Sequence, residues 1–287
     1  MVPAGPTPSN PNRRALTSAD KVDGVVAVQI GAHVEQRDPL AEAVARDADL
    51  VQFFLGDPQG WEPPVVAFDG GPAALRVAAE ERGIDLYVHA PYRLNVATTN
   101  NRIRIPSRKL LQQHVDGAAE IGAKALIVHG GHVLKADDPE QGVDNWRKCA
   151  EMLDLRLPVL IENTAGGDNA MARRLDRLDR LWDAVGPTGL GFCLDTCHAH
   201  AGGIALDDVV AKVLAITGRI DLVHANDSRD QFDSGADRHA NIDEGTIGAA
   251  TISGIARDAG APVVVETPGG AEGQRADIAL LRAQVDG

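Results

Sequence analysis

Apolar positions along the chain gather into eight short, nearly unbroken runs separated by longer amphipathic stretches. The runs are VVAVQIGAH (25–33), ADLVQFFLG (48–56), IDLYVHAPY (84–92), ALIVHGGH (125–132), PVLIENTAG (158–166), GLGFCLDTCH (189–198), RIDLVHAND (219–227) and APVVVETPG (261–269). Most are rich in β-branched or other large aliphatic residues and show little polar alternation, which is the pattern of strands buried on both faces. Between them, AALRVAAEERG (73–83), SRKLLQQHVDGAAEIGA (107–123) and VDNWRKCAEMLDL (143–155) carry apolar residues at i, i+3 and i+4, which predicts helices. Ser107 stands where a cap of the second would be. MARRLDRLDRLWDAV (171–185) mixes Arg and Asp at helical spacing and reads as an outer helix with weak ion pairs. Strand and helix alternate, which predicts a parallel sheet, and eight repeats predict a closed (β/α)8 TIM barrel. An open doubly wound sheet is the weaker alternative, since no Gly-x-Gly-x-x-Gly follows the first run. No Pro/Ser-rich linker interrupts the chain after residue 23, so 24–287 reads as one domain. The preceding stretch, 1–23, is rich in Pro, Ser and Asn, lacks the apolar segment of a signal peptide, and reads as a disordered tail.

The third to eighth runs each carry a potential metal ligand at the predicted strand end: His89, His129, Glu162, Asp195, His224 and Glu266. His198, Asp237 and His239 follow in adjoining loops. In a barrel, C-terminal strand ends and the loops after them form one face, so side chains distant in sequence converge there. Five histidines and four carboxylates suit zinc or manganese in a hydrolytic site. Nine donors exceed the needs of one tetrahedral ion and, with one carboxylate bridging, suit three. Ions held close together can activate a water and neutralise a leaving oxygen, as phosphodiester cleavage requires. Cys193 and Cys197 first suggest a Cys/His zinc site, but no second cysteine pair exists and Cys193 lies within an apolar run, so both read as packing. His33 and His132 end strands and read as surface or satisfied core residues, with support of a ligand or phosphate the weaker alternative. His114 reads as a solvated helix residue and His200 as a bystander.

Composition adds limits. The chain has 287 residues, 44% hydrophobic and 24% charged, enough for a large core; with aromatics at 3%, that core rests on Ala, Val, Leu and Ile. A formal net charge of −13 argues against a nonspecific nucleic-acid coat protein. It does not oppose a nucleic-acid enzyme, because carboxylates gathered around cations are counted as bare negative charge. Within this acidic chain, NNRIRIPSRK (100–109) concentrates Arg102, Arg104, Arg108 and Lys109, a pattern suited to backbone phosphates. Three cysteines describe no disulfide framework and fit a reducing, cytoplasmic setting. No run reaches the roughly 18 apolar residues of a membrane span.

HAPY (89–92), VHGGH (128–132), IENTAGG (161–167), CLDTCHAHAGG (193–203), HANDS (224–228), DRHANIDEGTIG (237–248) and ETPG (266–269) together resemble the signature segments of the endonuclease IV family. These are trinuclear-zinc apurinic/apyrimidinic endonucleases of base excision repair. The segments occur in the family's order and span about residues 25–285. The resemblance implies three Zn2+ per chain, with Mn2+ an option at one position. One ion would be held by His89, His129 and Glu162, a second by Glu162, Asp195, His224 and Glu266, and a third by His198, Asp237 and His239. It implies hydrolysis of the phosphodiester 5′ to an abasic site, leaving a 3′-hydroxyl and a 5′-deoxyribose phosphate, with Glu162 assisting proton transfer. It also implies trimming of blocked 3′ ends, double-stranded DNA as partner, and a monomer. By position, Tyr92 matches a side chain that the family inserts into the lesion gap. Two positions depart: Gln59 stands where an inserting Arg is expected, and Arg93 where Leu is frequent. With Arg102 and Arg104, these are the expected DNA contacts.

Two other readings compete. A sugar isomerase or epimerase of the xylose isomerase type would need only Glu162, Asp195, His224 and Glu266, which leaves the other five donors unexplained. A metal-stabilised protein that binds damaged DNA without cutting it would fit the altered insertion residues, but not the intact donor set.

Overall fold

Each apolar run contains one strand of a closed parallel barrel. The computed structural model describes residues 28–167 and 169–285; the expected tail, 1–23, lies outside them. In chain order the elements are β1 (Ile30–His33), α1 (Pro39–Arg46), β2 (Leu50–Phe54), α2 (Gly71–Arg82), β3 (Asp85–His89), α3 (Asn101–Glu120), β4 (Ala125–His129), α4 (Pro139–Ala150), β5 (Val159–Glu162), α5 (Leu175–Val185), β6 (Gly191–Asp195), α6 (Thr196–Gly202), α7 (Val209–Thr217), β7 (Leu222–His224), β8 (Asp227–Ser228), β9 (His239–Ala240), α8 (Ala249–Ala259), β10 (Val263–Val265) and α9 (Gly270–Val285). The barrel closes in the order β1-β10-β7-β6-β5-β4-β3-β2. The remaining strands, β8 and β9, form a small antiparallel ribbon on the loops. None of the described helices is long and apolar enough to cross a membrane.

The pleat explains how the barrel builds a site. Leu50, Tyr87, Ala125, Ile127, Leu160, Cys193, Leu222 and Val264 form an apolar cluster of their own, separate from the larger one between barrel and helices. These are the inward side chains of β2 to β7 and β10. Side chains two residues apart on a strand share a face. Two residues beyond Leu50, Tyr87, Ile127, Leu160, Cys193, Leu222 and Val264 come Gln52, His89, His129, Glu162, Asp195, His224 and Glu266. The inward face thus changes from apolar to donor at one level of the barrel. Strand register keeps that level: His129 pairs with Glu162, and Asp195 with His224.

On β1 the inward step falls on Gly31 and then His33. A Cβ at Gly31 would stand 1.8 Å from the Leu50 carbonyl oxygen, so the close approach of β1 and β2 requires glycine. Gly31→Ala is expected to cost about 1–3 kcal/mol or more, the scale of overpacking a core. Urea unfolding that shows a lower midpoint at unchanged slope would confirm it, and an unchanged midpoint would refute it.

Outside the barrel, the helices bury one stripe each. Trp146 of α4 is fully buried, and its indole N–H donates to the Gly130 carbonyl at 2.6 Å, tying the helix to the loop after β4.

Several local expectations change. The helix predicted over 107–123 begins earlier, at Asn101, and takes in the basic run, because the Asn100 side chain accepts the Arg102 N–H at 3.0 Å and starts the helix there, with Pro106 inside it. Ser107 therefore does not cap; it is buried and its Oγ accepts the Asn95 N–H at 3.0 Å. His114 is buried rather than solvated, since it shares the inner stripe of α3 with Leu110, Leu111, Val115 and Ala118. Its Nδ1 faces the Leu110 carbonyl at 3.0 Å.

Candidate metal centre

Local structure sets the first constraint. Asp195 ends β6 and is at once the N-cap of α6, its carboxylate accepting the His198 N–H at 2.6 Å. An Asp that caps a helix fixes the residue three positions on, so His198 lies on a helix, not in a loop, and faces back over Asp195. The β8–β9 ribbon does the same for His239. Ser228 pairs with His239 in the ribbon, and the buried Asp227 carboxylate accepts backbone N–H groups of Ser228, Asp243, Ile247 and Gly248 at 2.8–3.2 Å. This anchors the loop that brings Asp237 and His239 onto the barrel mouth.

Donor atoms then converge in four groups, each with its atoms within 4.8 Å of one another: His89, His129 and Glu162; Glu162, Asp195, His224 and Glu266; Asp195, His198 and His239; and Cys197, Asp237 and His239. Glu162 lies between the first two, with His89 Nε2 at 3.1 Å and His129 Nε2 at 3.3 Å from one carboxylate oxygen, and His198 Nδ1 at 3.0 Å and His224 Nδ1 at 3.2 Å from the other. Asp237 Oδ1 is 3.1 Å from His198 Nε2 and 3.2 Å from His239 Nε2.

Burial makes this arrangement costly unless charges are matched. Glu162, Asp195 and His224 are fully buried. Burial alone would raise the Glu162 carboxyl, but the charges of His224 and His129 outweigh it and hold it well below the usual carboxylate range. Asp237 and Glu266 are likewise held low by neighbouring histidines against the effect of burial. Asp195 is raised, because burial prevails over its histidine neighbours. Burial would lower the histidines, yet Asp195, Asp237 and Glu162 hold His198 well above its ordinary value, Cys193 with Glu266 and Glu162 does the same for His224, and Asp237 with Asp195 brings His239 to about 9. Protons thus sit on imidazoles where carboxylates converge, as cations would. His198 Nε2 and His239 Nε2 are buried and stand 3.1 and 3.2 Å from Asp237 Oδ1 without hydrogen-bond geometry. Two such ring nitrogens beside a carboxylate fit a divalent cation.

Cys193 is core, two residues below Asp195, and burial pushes its thiol up to about 12. Cys197 lies beside Asp237 and His239, but burial pushes its thiol up to about 12 as well. A neutral thiol is a poor ligand. His200 faces Thr246 Oγ1 and the Asp230 carbonyl, away from the donor groups. His132 meets Asn95, and His33 stands 3.4 Å from Glu266 Oε1.

Three polar residues absent from the expected set support it. Asn163 brackets the Asp195 backbone, accepting its N–H at 2.8 Å and donating to its carbonyl at 2.9 Å. Asn226 donates to Asp195 Oδ2 at 2.7 Å and accepts the Glu266 N–H at 2.8 Å. Gln52 reaches Glu266, His224 and His33. The signal for Gln52 is its inward position two residues after Leu50. The signal for the two asparagines is that they follow donor strands within IENTAGG and HANDS.

The expected DNA contacts surround the mouth. Tyr92 is 49% exposed, and its ring packs on Phe54, His89 and His129 with centroids 5.1–5.8 Å away. The loop bearing exposed Gln59 is joined to it, since the Tyr92 N–H donates to the Pro58 carbonyl at 3.0 Å. Arg93 is exposed at a cavity of about 300 Å³ that also touches His129, Asn95 and Thr164. Arg102 is exposed on the first turn of α3. Arg104 differs, because its guanidinium donates to the Thr98 carbonyl at 2.8 Å and to Asn101, bracing the preceding loop. Larger cavities of about 580 and 620 Å³ line the outer side near Pro63 and Gln113, away from every donor group.

The family described as a xylose isomerase-like TIM barrel matches residues 40–284. A probable endonuclease 4 of Mycobacterium tuberculosis (strain ATCC 25177 / H37Ra) is 54% identical over 253 residues, covering 88% of this chain and 97% of that protein. A probable endonuclease 4 of Mycobacterium leprae (strain TN) is 53% identical over 258 residues, covering 90% and 99%. Among solved structures, endonuclease IV from Thermus thermophilus superposes with a TM-score of 0.77 at 26% identity, covering 90% of this chain and 99% of that one. A D-tagatose 3-epimerase-like protein gives 0.72 at 19% identity, covering 90% and 97%, a likeness of fold.

Proposed function

The chain belongs to the endonuclease IV family, and from that premise we propose that it is a zinc-dependent endonuclease that cuts double-stranded DNA on the 5′ side of abasic sites. It leaves a 3′-hydroxyl and also trims blocked 3′ ends. The observation that carries this reading is the convergence of nine donor side chains, Glu162 central among them, on one barrel mouth. Four donors would serve an epimerase; His89, His129, His198, Asp237 and His239 exceed that need.

One ion would be held by His89, His129 and Glu162 and a second by Glu162, Asp195, His224 and Glu266; a third would be held by His198, Asp237 and His239, where Asp237 Oδ1 stands 3.1 and 3.2 Å from the two imidazoles, and Mn2+ would serve at one position. Divalent ions held there supply Lewis-acid polarisation of a phosphodiester and activation of water at neutral pH. Glu162 stays ionised in a fully buried position and takes up a proton as the nucleophile forms. Asp195, fixed by Asn163 and Asn226, holds its place between two donor groups. Tyr92, half exposed beside His89 and His129, presents a ring face to the gap left by a missing base, and Gln59 meets the same gap from the adjoining loop. A nucleotide without stacking or pairing is extruded at a cost of no more than a few kcal/mol. Arg93 and Arg102 meet flanking phosphates, and Arg104 acts through the loop it braces.

The direct test is a duplex with a single abasic site. One cut 5′ to the lesion, with a 3′ end that a polymerase extends, is the expected product; an end that no polymerase extends would refute the assigned regiochemistry.

Metal uptake carries a second expectation. The raised pKa values of His198, His224 and His239 mean that the metal-free centre holds protons at neutral pH, and ligands shed protons as metal binds. Zinc loading of stripped protein should therefore release protons, and apparent affinity should rise as pH increases from neutral through about 9, the value to which His239 is raised. Calorimetry in two buffers of unequal ionisation heat measures the release; identical heats would refute it.

A further inference from the structure

Gln52 is fully buried on β2, at the level where the other strands present metal donors. An uncharged amide there makes no useful zinc ligand, yet all its polar capacity is engaged. Oε1 stands 2.8 Å from His224 Nε2. Nε2 donates to Glu266 Oε1 at 2.6 Å and faces His33 Nδ1 at 2.9 Å. The amide can be placed only one way round, because a flip would set Oε1 against the Glu266 carboxylate.

Two consequences follow from that orientation. An acceptor at His224 Nε2 keeps a proton on Nε2, so the proton displaced when a cation binds is the one on Nδ1, which faces Glu162 at 3.2 Å, Glu266 Oε2 at 3.4 Å and Asp195 at 3.9 Å. A donor on Glu266 Oε1 engages that oxygen, so Glu266 offers the site Oε2 alone.

We propose that Gln52 is a positioning residue of the metal centre, fixing the Nε2–H tautomer of His224 and restricting Glu266 to Oε2, so that each presents one donor atom to the group they share with Glu162 and Asp195. The inference rests on the metal-centre reading above. It adds a β2 residue to a centre whose donors come from other strands and the loops beyond them.

Gln52→Met keeps the volume and removes all three hydrogen bonds. In the full chain it should weaken binding of one ion about 10–100-fold, the usual effect of losing such an outer partner. The other two ions should keep wild-type affinity. Zinc competition against a chromophoric chelator gives the affinities, and Co2+ substitution reports the geometry of the weakened position by its visible absorption. In zinc-loaded wild type, 15N NMR should show His224 protonated on Nε2, a readout that needs no variant to fold. Three wild-type affinities and an unchanged Co2+ spectrum in Gln52→Met would overturn the proposal alone, as would a proton on Nδ1 of His224. A wild-type chain that takes up no ion would overturn the metal-centre reading and this inference with it.

Discussion

Glu162→Gln is expected to lower abasic-site cutting by about 10²–10⁴-fold, the range carried by a positioned proton acceptor, while binding to the same duplex changes little. The asymmetry follows from position. Glu162 is fully buried beneath the mouth, touching His89, His129, His198 and His224, whereas the expected DNA contacts Tyr92, Gln59, Arg93 and Arg102 lie above it. An amide keeps the shape but removes the negative charge that two donor groups share, and it accepts no proton at neutral pH. Single-turnover cutting and equilibrium binding by fluorescence anisotropy separate the two effects. Equal losses in both would show that Glu162 serves only to shape the mouth.

Stripping the ions is expected to abolish cutting and to lower stability together. Three carboxylates held low and three histidines held high compensate one another in the metal-free centre, but two buried ring nitrogens meet Asp237 only as ion pairs, without hydrogen-bond geometry. A ligand that binds only the folded chain stabilises it by about 4 kcal/mol at a thousand times its dissociation constant. For a domain above 250 residues, where 1 kcal/mol moves the midpoint by about 2 °C or somewhat less, that is a shift of several degrees. Melting curves of zinc-loaded and chelated protein measure it. Restored zinc should return both cutting and midpoint; unchanged melting after verified metal removal would contradict the coupling of centre and fold.

Much of this site can be read along the chain because a barrel strand has a simple grammar. Inward positions recur every second residue, so a donor two places beyond an inward apolar residue lands on the mouth. His89 after Tyr87, Glu162 after Leu160 and Asp195 after Cys193 follow that rule. Gln52 after Leu50 obeys it equally, and escapes notice in the sequence because an amide is not among the usual metal ligands. His114 misleads for the opposite reason: its residue type suggests solvent, while its spacing from Leu110, Leu111 and Ala118 places it on the buried stripe. The start of α3 is hidden by Pro106, which reads as a breaker in sequence, whereas the Asn100 cap six residues earlier has already committed the helix. The β8–β9 ribbon is too short for any periodicity, and depends on Asp227 gathering backbone N–H groups from residues up to 21 positions away. Such an anchor is invisible until the chain has folded.

If the barrel mouth is a multi-ion centre that hydrolyses DNA at abasic sites, metal content and cutting must go together. Elemental analysis of the purified chain, run beside cutting of a single-abasic-site duplex by the same sample, tests this most directly. Three ions per chain with cutting that a chelator abolishes is the result expected. Three ions bound with the strand left intact, or one or two ions accompanied by sugar epimerisation, would contradict it.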